Sequence, residues 1–248
     1  MSQNDGNASR VIVESADMAV DSGLRSFMLG IYNKMALGLL ITGVLAWVVG
    51  NVPEVTSLFF ANVNGKISIT LLGMIVSFAP IVLLFGSSFL MRNPSPASAS
   101  MLYWTIVAMI GLSGGLWFIR YTGGSIAQTF FITAASFGAL SLWGYTTKKN
   151  LLPMGSFLLM AVIGLLLAAL VNLFLQSPLM HMIISGLGVL IFAGLIAFDT
   201  QRLKMMYDGL QRDSVKMNVA TTFGALSLYI NFINLFQFLL SFLGSSRD

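Results

Sequence analysis

The chain has 248 residues, of which 56% are hydrophobic and only 9% charged, with a formal net charge of +4. A soluble domain carries about 25% charged residues, so a solvated globular surface is excluded; the high hydrophobicity excludes intrinsic disorder. There is no cysteine, which removes disulfides, thiolate metal sites and cysteine nucleophiles from consideration.

The composition that remains is that of an integral membrane protein, with room for seven or eight spans at about 20 residues each. The basic excess does not point to nucleic acid. Lys and Arg lie between apolar runs rather than in a stripe, the pattern that encodes membrane orientation.

Residues 1–26 are polar and mixed in charge, with Asp5, Arg10, Glu14, Asp17, Asp21 and Arg25. They read as a flexible cytoplasmic tail ahead of one transmembrane domain, 27–248. The first apolar run begins near Phe27, too far in and too long for a signal-peptide core, so it is expected to be an uncleaved span. Seven apolar segments are expected: Ile31–Gly50, Ile67–Leu90, Met101–Ile119, Ile126–Tyr145, Met154–Leu175, Leu179–Phe198 and Val219–Leu243. Each is long enough to cross as a helix, and too continuous for an alternating barrel strand.

Pro53, Pro94, Pro96, Gly123-Gly124, Pro153 and Pro178 mark the connections. Pro80 falls inside the second segment and is expected to kink it. Gly111 and Gly115 form a GxxxG in the third, a close-packing motif common to polytopic proteins. The fold class expected is thus an all-α seven-helix bundle.

With seven spans, one face holds Arg10, Arg25, Lys34, Arg92, Lys148, Lys149, Arg202, Lys204, Arg212 and Lys216, and the other only Lys66, Arg120 and Arg247. The positive-inside rule then puts the N-terminus in the cytoplasm and the C-terminus outside.

A charge near the bilayer centre costs at least about 2.5–3.5 kcal/mol, so intramembrane charges are where function is sought. Of the nine acids, only Asp199 lies in or at the edge of a span. It is a candidate proton or cation site, since burial and nearby charge act on a carboxylate's proton affinity in opposite directions. It is equally a boundary residue positioned to pair with Arg202 three residues on.

In the last segment Gly224, Ser227, Asn231 and Asn234 share one helical face. Their carboxamides need partners, because lipid offers none. Either they are interhelical glue, or they form a wet path and oxygen cluster facing the sixth segment. Asn172 is a weaker candidate for the same interior.

Other chemistries lack their residues. His181 is the one histidine, so no HExxH exists. No second membrane acid for an aspartyl dyad, no lysine deep in the last segment and no phosphate-binding glycine loop is present. The chain is expected not to be an enzyme and to hold no resident cofactor.

Several stretches resemble one family. Residues Gly194-Leu195-Ile196-Ala197-Phe198-Asp199-Thr200-Gln201-Arg202-Leu203 resemble the sixth-span signature of the Bax inhibitor-1 family, and Leu226-Ser227-Leu228-Tyr229-Ile230-Asn231-Phe232-Ile233-Asn234-Leu235-Phe236 its seventh. Tyr32 to Leu39, Ala135 to Lys149 and Met154 to Phe157 also fit, so the resemblance covers about residues 25–244 and is strongest to bacterial members. It implies six helices around a central one in the cell inner membrane, and a calcium leak controlled by pH.

In the family's pattern two aspartates share a proton. Asp199 matches the first, but Asn231 stands where the second is expected, and no basic residue between Ile67 and Leu90 matches the family's latching arginine; Arg92 follows at the segment's end. Asn231 cannot ionise, so the coupling that two close carboxylates provide is missing. An Asp–Asn pair is also a weaker calcium site.

Two functions follow from the resemblance. In one the chain is a passive cation leak lined by Asp199, Ser227, Asn231 and Asn234, with Arg202 or Arg92 as ion-pair partner, Asp199 as a possible calcium ligand, and calcium or protons as the species moved. In the other it is a non-transporting regulator that binds a membrane-bound AAA protease or another membrane partner through its tail.

Overall fold

The computed structural model describes residues 3–63, 66–90, 93–245 and 247. In chain order the elements are α1 (Gln3–Asn51), α2 (Pro53–Phe59), β1 (Phe60–Val63), β2 (Lys66–Ile69), α3 (Leu71–Leu90), α4 (Pro96–Ser113), α5 (Gly115–Arg120), α6 (Gly123–Thr146), α7 (Met154–Leu175), α8 (Pro178–Tyr207) and α9 (Ser214–Leu243). Prolines open three of these helices: Pro53, Pro96 and Pro178 sit in the first turn, where no backbone donor is lost. Side-chain caps close the orphan amides beside them, with Ser95, Thr122, Ser177 and Asp213 each accepting from the amide three residues on.

Among the described residues, six helices are long and apolar enough to cross a membrane: Ser22–Asn51 of α1, the α4–α5 pair across Pro96–Arg120, and α6, α7, α8 and α9. The protein is therefore an all-α membrane protein in its spanning part. The helical backbone of α1 also takes in residues 3–21, the polar stretch expected as a tail. α7 has the bounds expected for it, and α8 runs nine residues beyond the expected Phe198.

The segment expected to cross from Ile67 to Leu90 is different. Its first residues form an antiparallel hairpin with β1, Phe60 facing Ile69 and Val63 facing Lys66. The apolar helix behind it is shorter than the six, with Leu71–Ser87 as its described apolar part and Pro80 inside it.

The bundle is inverted relative to a soluble one. α7 has the highest mean hydropathy, 2.8, yet only 11% of its apolar stretch is buried, whereas α9 has 1.6 and 56%. The most apolar surfaces face outward, as lipid-facing helices require. α9 sits at the centre, packed by α8, α1, α6 and α4. Its buried Leu228, Tyr229, Leu235 and Leu240 meet Ile31 of α1, Tyr103 and Ile106 of α4, and Ile196 and Leu203 of α8 in one core. The Gly111–Gly115 pair packs on α1: an added Cβ would meet Leu45 and Thr42 at Gly111, and Val49 at Gly115.

Candidate functional site

The site is built where α8 and α9 cross. Asp199 lies about 12 Å from the last residue of α8 at 1.5 Å per residue, inside the helix rather than at its tip. Gly224 lets α9 come close, since a Cβ there would meet Leu203 of α8 and Ile31 of α1. One and two turns further on, Ser227 and Asn231 then face Asp199.

Ser227 Oγ donates to Asp199 Oδ2 at 2.6 Å, and Asn231 Nδ2 donates to the same oxygen at 2.7 Å. The other oxygen, Oδ1, pairs with Arg202 Nη2 at 2.9 Å. Asp199 and Asn231 are each only 5% exposed. Asp199 is thus interior, reaches Asn231 and is paired with Arg202.

Arg202 bridges two environments. Its side chain is 43% exposed while that of Asp199 is 7%, so the long stem carries the charge from a buried partner toward the helix end. Its guanidinium lies over the Phe198 ring, 5.7 Å from the centroid. Gly155 of α7 makes room for that ring. Arg202 Nε is buried and has no hydrogen-bond partner among the described residues.

Not every expected residue joins. Asn234 donates back to Ile230 O within α9 at 2.8 Å, satisfying its own helix rather than reaching α8. Asn172 is not interior glue: its Oδ1 accepts from Ser177 N at 3.0 Å, and its carbonyl from Gln176 N. It closes the α7–α8 turn, where Gln176 adopts the left-handed conformation at φ 49°. Arg92 lies outside the described residues.

A hydroxyl chain unread in the sequence runs beside Asp199. Tyr32 OH of α1 is 2.6 Å from Ser141 Oγ of α6, which is 3.0 Å from Thr200 Oγ1 of α8. Gly144, whose Cβ would strike the Ala197 backbone, brings α6 and α8 close enough for this contact. Gln201 ties the α6–α7 connection to α8, accepting from Leu151 N at 2.7 Å and donating to Lys149 O at 2.8 Å. These groups have no spacing signal, because each pair is contributed by different helices.

The structure also supplies the partner that His181 lacked in sequence. Ser241 Oγ of α9 is 2.7 Å from His181 Nε2, and Ser185 Oγ donates to Ser241 Oγ at 3.2 Å. The trio links α8 and α9 at the end opposite Asp199.

As chemistry, the Asp199 site offers one carboxylate, one hydroxyl and one carboxamide. Among the described residues, no three acidic or imidazole side chains gather around a point. The donors fit a transient, partly hydrated cation better than a resident metal cage, since calcium favours six to eight oxygens with several carboxylates. Arg202 already fills the position of a counter-cation at Oδ1.

The family described as "Inhibitor of apoptosis-promoting Bax1" matches residues 24–248, which takes in every helix of the bundle. The chain belongs to the Bax inhibitor-1 family. A protein of Caulobacter vibrioides is 57% identical over 246 residues, 99% of this chain and 98% of its own length. A Rickettsia prowazekii protein is 43% identical over 236 residues, 94% of this chain and 95% of that one. The Escherichia coli inner membrane protein YbhL is 40% identical over 227 residues, 91% of this chain and 94% of YbhL. With six apolar spans, this Bax inhibitor-1 protein is a multi-pass protein of the inner membrane.

Proposed function

We propose that this Bax inhibitor-1 protein is a passive, pH-sensitive cation leak for which calcium is the candidate cargo, with Asp199 as its titrating group. The observation that carries the reading is the buried Asp199 carboxylate, held between α8 and α9 by Ser227, Asn231 and Arg202. A carboxylate is held in such a place at a free-energy cost, and intramembrane acids mark ion and proton paths. A cation entering would displace Arg202 from Oδ1, and a proton on Asp199 would release Arg202 outright. α3 serves as the seventh crossing in this reading, with the N-terminus cytoplasmic and the C-terminus outside.

The test is calcium influx into liposomes holding the purified protein, across a pH series. Asp199→Asn is expected to abolish the flux. Asn231→Asp is expected to shift its pH response toward neutrality, because two carboxylates on one proton titrate as a coupled pair. Absence of flux from folded wild type at every pH would end this reading.

One feature favours the second function, a non-transporting regulator of a membrane partner such as a protease. Every Asp199 oxygen is already satisfied and the site is closed, which suits structural glue as well as a resting pore. There, deleting the tail, residues 1–26, would abolish regulation and leave any flux intact.

A further inference from the structure

We infer that the groove between α1 and α6 holds an anionic phospholipid, with its headgroup at Arg25, in the positive field of Lys204 behind Tyr145, and an acyl chain against Gly138. α1 and α6 each pack on α9 but scarcely on each other. The Tyr32–Ser141 hydrogen bond bridges them and divides the seam in two. On the Arg25 side lies a cavity of about 600 Å³, walled by Met28, Leu29, Phe137, Gly138 and Leu142. It is open rather than filled: a Cβ added to Gly138 would find no atom within 4 Å.

Charge decides the occupant. Arg25 lines the mouth and is exposed. Tyr145 lines the same mouth, and Lys204 reaches it from behind, its Nζ 4.7 Å from the ring centroid and 2.9 Å from the Tyr145 carbonyl oxygen. Among the described residues neither cation has an acidic partner; the ion pairs there are Arg202–Asp199 and Lys216–Asp213. An exposed arginine on the lining, with a second cation held behind the Tyr145 ring on a backbone carbonyl, is complementary to a phosphate above a hydrocarbon chain. The floor of this cavity ends at Tyr32 and Ser141, the hydroxyls that lead to Thr200 beside Asp199.

The full chain would be placed in nanodiscs of equimolar phosphatidylglycerol and phosphatidylcholine, and the lipid it retains counted by native mass spectrometry. Wild type is expected to retain phosphatidylglycerol in preference. Arg25→Gln should reduce that preference about fivefold, the effect of one basic residue near anionic headgroups, and Lys204→Gln should reduce it further. Gly138→Leu should lower retention of both lipids, and the open space there lets the variant fold.

Equal retention of the two lipids by wild type would overturn the inference. So would a preference untouched by Arg25→Gln, or dimers that Gly138→Leu converts to monomers, which would mean a second copy fills the groove.

Discussion

Asp199 accepts two neutral hydrogen bonds on one oxygen and a guanidinium on the other, so its variants separate charge from shape. Asp199→Asn keeps the size but leaves Arg202 without its anion. Losing a hydrogen-bonded charged partner costs about 1–3 kcal/mol, and the value should fall at the low end because Arg202 is partly solvated. Thermal unfolding in detergent would read it; an unchanged midpoint would mean that Arg202 finds water as readily as Asp199. Asn231→Leu should cost a similar amount, since it removes one donor to Oδ2 and leaves the rest of the site in place. Asp199, Ser227 and Asn231 were legible in the sequence, because each is a polar exception in an apolar run. Tyr32, Ser141 and Thr200 were not, since hydroxyls occur throughout membrane helices and meet here only because three separate helices converge.

At the scale of elements, one close approach, one open position and one cap can be measured. Gly144 packs directly on the α8 backbone at Ala197, so even Gly144→Ala must push two helices apart. A cost of about 1–3 kcal/mol is expected, typical of overpacking, and with it a loosened Ser141–Thr200 contact. Gly138→Ala, on the open side of the same helix, should leave the unfolding midpoint where it is.

Asp213 caps α9 outside the membrane. The Lys216 backbone amide, foremost, and the Lys216 side chain hold its carboxyl below the usual 3.8. A carboxyl lowered in the folded state contributes fully above its ordinary value, and that contribution is lost as pH falls through the lowered one. The difference in unfolding midpoint between wild type and Asp213→Ala should therefore be constant at neutral pH and close below about pH 3.8.

Helix existence and order were readable from apolar length. The β1–β2 hairpin was readable as well: Asn64-Gly65 between alternating residues is a strong hairpin signal. It was masked by the apolar run of Ile67 and Ile69 leading into α3, which reads as the beginning of a longer span. Cap residues moved the start of α8 by one residue, and its far end ran on through Arg202 and Lys204 because their stems are apolar enough to stay helical below the charged heads.

For the whole molecule the open quantity is the number of crossings, and the sequence offers a clean way to count them. The chain has no cysteine, so single introduced thiols have no background. Ser26→Cys and Ser245→Cys lie at the two ends of the bundle's chain, and both native residues are exposed. A membrane-impermeant maleimide should label them from opposite sides in oriented vesicles. Labelling from the same side would mean that α3 does not cross, and the proposed orientation would fall with it. Composition made the membrane class certain in advance, but a 17-residue apolar stretch, as in Leu71–Ser87, sits at the short edge of what spans.

The most buried helix of the bundle, α9, follows all the other described helices in chain order. Until Ser214–Leu243 leaves the ribosome, α1, α4, α6 and α8 lack the one helix that all four pack on, and the hydrogen-bond donors for Asp199 from Ser227 and Asn231 do not yet exist. During that interval α8 must sit in lipid with its acid neutralised only by its own Arg202. Closure around α9 is therefore a late step that follows pairings such as α1 with α4 and α6 with α8, which do not need it. A ribosome halted before residue 214 should leave an inserted chain whose outer helix pairs can form but whose centre is empty, open to membrane quality control.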